Sequence, residues 1–167
     1  TNINFKELNR RNSLEADLTF YFGDDFKNIL KISPSAQAYV DRINQVAQDK
    51  PELLIGHHYS RYIGDLSGGQ ILKSITQKAM NLPDDNGLRF YMFDDIDDEK
   101  SFKDHYRRTL DLLPIDQDMA DLIIDEANKA FKFNMDMFKE LEGNLIAAIG
   151  KVLFRYLTRS DRKGSTE

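Results

Sequence analysis

Residues 64–69 read Gly-Asp-Leu-Ser-Gly-Gly, inside a stretch patterned as one long helix from Pro51 to about Asn81. A glycine in a helix interior costs about 1 kcal/mol relative to alanine. A run this rich in glycine therefore gives up stability for a purpose. The physical use of such glycines is close approach, because another body can lie directly on backbone that carries no side chain. On a wheel of about 100° per residue, His57, Arg61, Gly64, Asp65 and Gly68 share one stripe. Ile55, Tyr59, Tyr62 and Leu66 fall opposite. One face is expected in a core, and the other as bare backbone flanked by an acid and an arginine. Gly64 and Gly68 are also spaced as in close helix crossings, which stands as the alternative. Asp65 speaks against it, since a simple crossing prefers small neutral or apolar neighbours. The glycines fit neither dinucleotide nor phosphate-loop spacing, and no strand precedes them.

Helical periodicity covers almost the whole chain, so the fold class is all-α. Residues 5–22 carry Phe5, Leu8, Leu14, Leu18 and Phe22 at helical spacing, with Gly23 as the stop. Ser33-Pro34 caps a helix reaching about Gln48. Pro83 to Gly87 reads as a turn-rich loop, and Phe90 to Phe93 as a short aromatic run that could be extended. Asp97 or Asp98 starts a helix that stops before Pro114. Asp116 caps a last long helix, bent near Gly143 or Gly150 and ending around Leu157, before a frayed polar tail at about 159–167.

The 167 residues suit a single helical domain with its own core. A net charge of −5 argues against general nucleic-acid binding. The absence of cysteine removes disulfides, thiolate metal sites and thiol nucleophiles. No apolar run approaches the roughly 18 residues that span a bilayer, so neither nucleic acid nor membrane is an expected partner.

Two further constellations sit on helices. Lys103 and Arg107 lie one turn apart on one face and could receive a ligand bearing carboxylates. The alternative is a solvated face, with Asp104 paired to Arg108 and Arg107 to Asp111. In the last helix Phe131, Asn134 and Phe138 share a side. Asn134 there is either a satisfied boundary amide or a member of a buried polar network. His57, His58 and His105 show no metal-ligand spacing, and no metal site is expected from the protein's own residues.

The stretches ELNRRNSLEADLTFYFG, SAQAYVDRI, HHYSRYIGDLSGGQILK, FKDHYRR and DEANKAFKFNMDMF resemble the heme oxygenases of cyanobacteria and plastids. The resemblance spans most of the chain, and YSRYIGDLSGGQ is its most specific part. It implies a multi-helical bundle whose glycine-kinked distal helix runs over the heme, which is both cofactor and substrate. It implies that Gly64 and Gly68 lie against the heme face where O2 binds. Asp65 matches the family's catalytic aspartate, acting through ordered water, and Arg61 and Asn134 match other members of the distal polar network. Tyr59, Lys103 and Arg107 match residues that hold the heme propionates, while Phe131 and Phe138 would wall the pocket. The implied reaction gives biliverdin, CO and free iron, as in phycobilin biosynthesis, with electrons from reduced ferredoxin. A basic edge of Lys103, Arg107 and Arg108 suits an acidic donor.

The family's first helix, which carries the proximal histidine, has no counterpart here, nor does a further tyrosine of the distal network. The expectation is therefore about the C-terminal two-thirds of the family fold, monomeric when complete, in cytoplasm or plastid stroma. None of the three histidines matches the ligand position. The alternative readings are a non-catalytic helical protein that binds heme or another tetrapyrrole, and an inactive fragment lacking the proximal ligand.

Overall fold

The computed structural model describes residues 3–82 and 86–140. All regular structure among them is helical, with no strand. Each helix begins and ends where side-chain chemistry allows. The first helix is shorter than the periodicity predicts. Lys6–Leu8 form a separate 3-10 turn, Asn9 is extended, and helix α1 runs Arg11–Phe22. Gly23 stops α1 at φ +77, its N–H donating to Thr19 O at 2.8 Å. Only glycine adopts that angle without strain. A short helix α2, Phe26–Ile29, which the sequence reading did not foresee, follows. Helix α3 spans Pro34–Asp49, and the Ser33 side chain accepts from Ala36 N as its cap.

The glycine-bearing stretch begins with a 3-10 turn at Pro51–Leu53 and continues as helix α4, Leu54–His58. It then widens into two π-helical turns, Tyr59–Ile63 and Asp65–Gly69, before helix α5, Gln70–Met80. Asn81 ends it in the left-handed region. Helix α6, Glu99–Asp111, is capped by Asp98, which accepts from Lys100 N and Ser101 N. Helix α7, Gln117–Glu140, starts with Asp116 accepting from Met119 N at 2.8 Å. The run Phe90 to Phe93 is not a strand: Arg89–Tyr91 close a 3-10 turn and only then does Met92 extend. The bend near Gly143 or Gly150, the helix end near Leu157 and the tail lie outside the described residues.

Helix α7 is the backbone of the packing, with α3 and α4 both lying on it. The glycine that makes this possible is Gly56. A Cβ there would stand 2.7 Å from Ile123 O and 2.8 Å from Ala127 N, so α4 and α7 cross in direct backbone contact. Ser60 Oγ donates to Ala127 O at 3.2 Å on the same crossing. A second core joins Leu8, Ile63, Leu66 and Tyr106, with Phe5, Tyr62, Phe93 and Phe102 packed around it. It fixes the π-helical stretch against α6 and the N-terminal turn. Helix α1 contributes little to either core: its buried residue is Asp17, while Leu14, Phe20, Tyr21 and Phe22 are exposed.

Candidate functional site

The widened helix decides which residues face where. In a π turn the backbone bonds i to i+5, so each turn holds more residues than in an α-helix and the 100° wheel fails. Ile63, Leu66 and Gly69 are buried, as a core face requires. Tyr59 is exposed together with Gly64, with Gly68 half-buried, so Tyr59 is not confined to the core face that the wheel gave it. His57, expected on the bare stripe, is instead buried and belongs to the α4–α7 interface. Such π insertions recur at functional sites because they turn side chains and backbone away from the regular repeat.

The glycines divide by role. Gly56 serves the helix crossing. At Gly69 a Cβ would sit 3.2 Å from the Tyr91 ring, so it accommodates the 3-10 turn. At Gly64 and Gly68 a Cβ would meet nothing within 4 Å. No other described element comes within 4 Å of an added Cβ at either position, so no close helix crossing is seen there among the described residues. Among the described residues the pair forms an open strip of backbone.

Asp65 stands beside that strip, half-buried, and is held by two arginines. Arg10 Nη2 donates to Asp65 Oδ2 at 2.7 Å, and Arg61 Nε approaches the same oxygen at 3.5 Å. Oδ1 accepts from no described residue. Arg61 Nη1 donates to Asn134 Oδ1 at 2.7 Å, and Asn134 Nδ2 donates to Ala130 O at 2.9 Å. Asn134 is thus a satisfied amide and a network member at once. The network brings α7, the π stretch and the residue preceding α1 to one carboxylate. Burial, and then the Asp65 charge, push the nearby Tyr91 phenol up.

The other expected residues lie on α6 and α7. Phe131 is 65% exposed and Phe138 half-buried, both on α7. On α6, Lys103 forms no ion pair among the described residues. Arg107 Nη1 pairs with Asp104 at 3.3 Å across half-exposed side chains. The pairs of the solvated-face alternative, Asp104 with Arg108 and Arg107 with Asp111, are not the ones observed. Among the described residues Lys103 therefore has no ion pair and Arg107 one weak surface contact.

The histidines are occupied elsewhere. His57 Nε2 lies 3.0 Å from Glu126 Oε1, and Nδ1 lies 3.4 Å from the Tyr39 hydroxyl. Glu126 is fully buried and also accepts a two-pronged contact from Arg42, at 2.7 and 2.6 Å, and one from Lys129 at 3.0 Å. Arg42 above all holds its carboxyl down, to about 2. Burial pushes His57 down. His58 Nδ1 meets the Tyr106 hydroxyl at 2.7 Å, and burial pushes this imidazole down too. His105 is exposed and packs edge-on to Phe5. Among the described residues no group of His, Cys, Asp or Glu is arranged to hold a free metal ion.

Sequence reasoning missed Arg10 and the Glu126 cluster. Nothing in Asn9-Arg10-Arg11-Asn12 separates the buried Arg10 from Arg11, whose side chain is 79% exposed and pairs with Glu15. Glu126 lies one helix position from Asp125 and gave no separate signal.

The described residues define an all-helical class of protein, with bare helix backbone at Gly64 and Gly68 beside an arginine-held carboxylate. The comparisons specify the class: the chain belongs to the heme oxygenase family, whose model matches residues 1–140. It is 60% identical to heme oxygenase 1 of Synechocystis sp. over 100% of its own length and 69% of that protein. It is 56% identical to heme oxygenase 1 of Nostoc sp. over 99% of this chain and again 69% of the relative. The crystal structure of the Synechocystis heme oxygenase-1 in complex with heme superposes with a TM-score of 0.82 at 61% identity. That match covers 93% of this chain and 70% of the other. Heme oxygenase-2 of Synechocystis sp. in complex with heme and NO superposes with a TM-score of 0.82 at 45% identity, covering 94% and 66%.

Proposed function

We propose that Gly64 and Gly68 seat the heme that this heme oxygenase degrades, and that Asp65 directs its cleavage. The reaction class is the family's: O2-dependent opening of heme to biliverdin, CO and iron, with heme as substrate and cofactor. The observation that carries the site reading is the conjunction at residues 64–68. Among the described residues, bare backbone at Gly64 and Gly68 has open space above it, and the carboxylate between them has one oxygen fixed and one unengaged.

The residues present fit a heme face and its carboxylates, while none of the three histidines is placed as its iron ligand. Gly64 and Gly68 leave room that any side chain would fill, Tyr59 and Phe131 would offer exposed aromatic surface, and Lys103 with Arg107 would supply cations for two carboxylates. Heme, when bound, supplies the iron that activates O2. The protein's part is positional. Asp65 Oδ2 is taken by arginine, so Oδ1 is the oxygen left to accept from water above the glycines. A carboxylate so fixed holds ordered water in place and passes protons through it. Arg61, clamped by Asn134, keeps a second donor at the same edge. Phe131 and Phe138 exclude bulk water once the ligand lies between them. Tyr59, Lys103 and Arg107 would take the propionates and thereby set which meso carbon lies nearest Asp65.

Reduced ferredoxin is the proposed electron donor, docking on the basic edge formed by Lys103, Arg107 and Arg108 of α6. No described helix is long and apolar enough to cross a membrane, and cytoplasm or plastid stroma is the proposed location. The test is Asp65→Ala in the full-length protein. Hemin binding should persist while biliverdin yield in single turnover falls about a hundredfold or more. Undiminished yield overturns the role given to Asp65.

A further inference from the structure

We propose that Arg10 is a positioning residue for the reaction: it fixes the Asp65 carboxylate so that Oδ1 faces the glycine strip. The inference rests on the reading of Asp65 given above and extends it to a residue on another element. Arg10 precedes α1 and could have served as an ordinary helix-start side chain. It does not cap the helix. Instead it is buried, with its side chain 6% exposed, and reaches across to the π stretch.

Its guanidinium spans two anchors. Nη2 donates to Asp65 Oδ2 at 2.7 Å, and Nη1 donates to Phe90 O at 3.2 Å. The plane lies among rings, with its carbon 4.2 Å from the Phe90 centroid, 4.7 Å from Phe93 and 5.2 Å from Tyr62. A planar cation is favoured over aromatic faces, and a fork donor fixes direction as well as charge. A lysine supplies the charge but not the fork.

The anchor at Phe90 is itself fastened. The buried Asp17 carboxylate accepts from Arg89 N at 2.9 Å and from Phe90 N at 2.7 Å. Gln70 Nε2 donates to Tyr91 O at 2.7 Å, and the Tyr91 ring rests on Gly69. The 3-10 turn at 89–91 is thereby pinned to α1 on one side and to the π stretch on the other. Arg10 is held by a rigid mount, and the mount holds Asp65.

Arg61 cannot replace this contact. Its Nε stands at 3.5 Å from the same oxygen, and its side chain is 40% exposed. It is also committed to Asn134. The two arginines share Oδ2 unequally, and the shorter, drier contact sets the carboxylate's orientation. Without Arg10, Asp65 would be free to turn toward Arg61 and leave the water above Gly64 and Gly68 without its acceptor.

The test is a double-mutant cycle in the full-length protein, comparing Arg10→Met, Asp65→Asn and the pair. Arg10→Met should bind hemin with affinity within about threefold of the parent, yet lose about tenfold to a hundredfold in single-turnover biliverdin formation. In the Asp65→Asn background the Arg10 substitution should cost nothing further, because its effect passes through Asp65. The pH midpoint of the ferric complex's optical transition should move in Arg10→Met and not move further in the pair. If Arg10→Met takes up no hemin, the same cycle is run with Arg10→Lys, where a tenfold loss without the fork is expected. An equal loss in both backgrounds makes Arg10 structural and overturns the proposal, as does full turnover in Arg10→Met. Full turnover in Asp65→Asn instead overturns the site reading beneath it.

Discussion

Two carboxylates meet the glycine-bearing stretch, Glu126 from α7 and Asp65 from within it, and their clusters are built from the same parts for opposite ends. At the α4–α7 crossing, Glu126 is fully buried and both its oxygens are used, by Arg42, His57 and Lys129. The adjacent Gly56 is pressed against α7 backbone. Farther along, Asp65 also meets two cations, but both use one oxygen, and the adjacent Gly64 and Gly68 face open space. A cluster with no unused valence and no unused volume holds the fold. A cluster with one oxygen and a strip of backbone to spare holds something else. Residue type does not tell them apart; the remaining capacity does.

The largest effect should come from the closed cluster. Glu126→Ala leaves Arg42 and His57 without their partner in a buried setting, and should cost about 3–5 kcal/mol. Urea unfolding measures it, and a loss below 1 kcal/mol would mean the cluster is no staple.

The acid limb of stability sharpens the same point. The folded Glu126 carboxyl lies at about 2, below its unfolded value. Its contribution, about 3 kcal/mol, is therefore fully present above the unfolded carboxylate range and is lost progressively as pH falls from that range through about 2. His57 is also depressed, by burial. Its neutral form stabilises the fold above the unfolded imidazole value, and that share is lost as pH drops below about 6.5. Stability should thus begin to fall between pH 7 and 5 while Glu126 is still ionised, and His57→Asn should lessen that slope, the buried His58 supplying the remainder. A flat parent curve over this range contradicts the assignment.

The glycines should respond with opposite signs. Gly56→Ala pushes a Cβ into Ile123 O and Ala127 N and should destabilise by about 1–3 kcal/mol. Gly64→Ala adds a methyl group to open space and removes a helix-interior glycine, so the fold should gain up to about 1 kcal/mol. Thermal melts of both variants check this, and a shared sign would erase the division between them.

The smallest effect concerns the rim. Lys103→Glu with Arg107→Glu should leave the melting temperature unchanged while weakening hemin binding about tenfold or changing the biliverdin isomer. If neither affinity nor isomer changes, the pair is only a solvated face.

Much of this was legible in the sequence because caps and stops are local. Ser33, Asp98 and Asp116 cap the helices they were expected to cap, and Gly23 and Asn81 end theirs. The glycine run and Asp65 stood out for the same reason, since a costly residue in a helix is visible without its neighbours. The π turns were not legible. They alter the repeat by one backbone bond from Tyr59 onward, while His57, in the α-helix before them, was hidden by the long-range crossing with α7. Arg10 and Glu126 were hidden differently: each is one charge among many until residues 55 and 69 positions away, respectively, close on it.

The most direct test of the central claim is a hemin titration of Gly68→Val in the full-length protein, run beside a thermal melt. The expected result is a fold at least as stable as the parent that has lost hemin binding by tenfold or more, because the new side chain fills the strip the ligand must occupy. Stoichiometric hemin binding at parental affinity in a folded Gly68→Val protein would contradict it, and the open glycines would then have to be explained without heme.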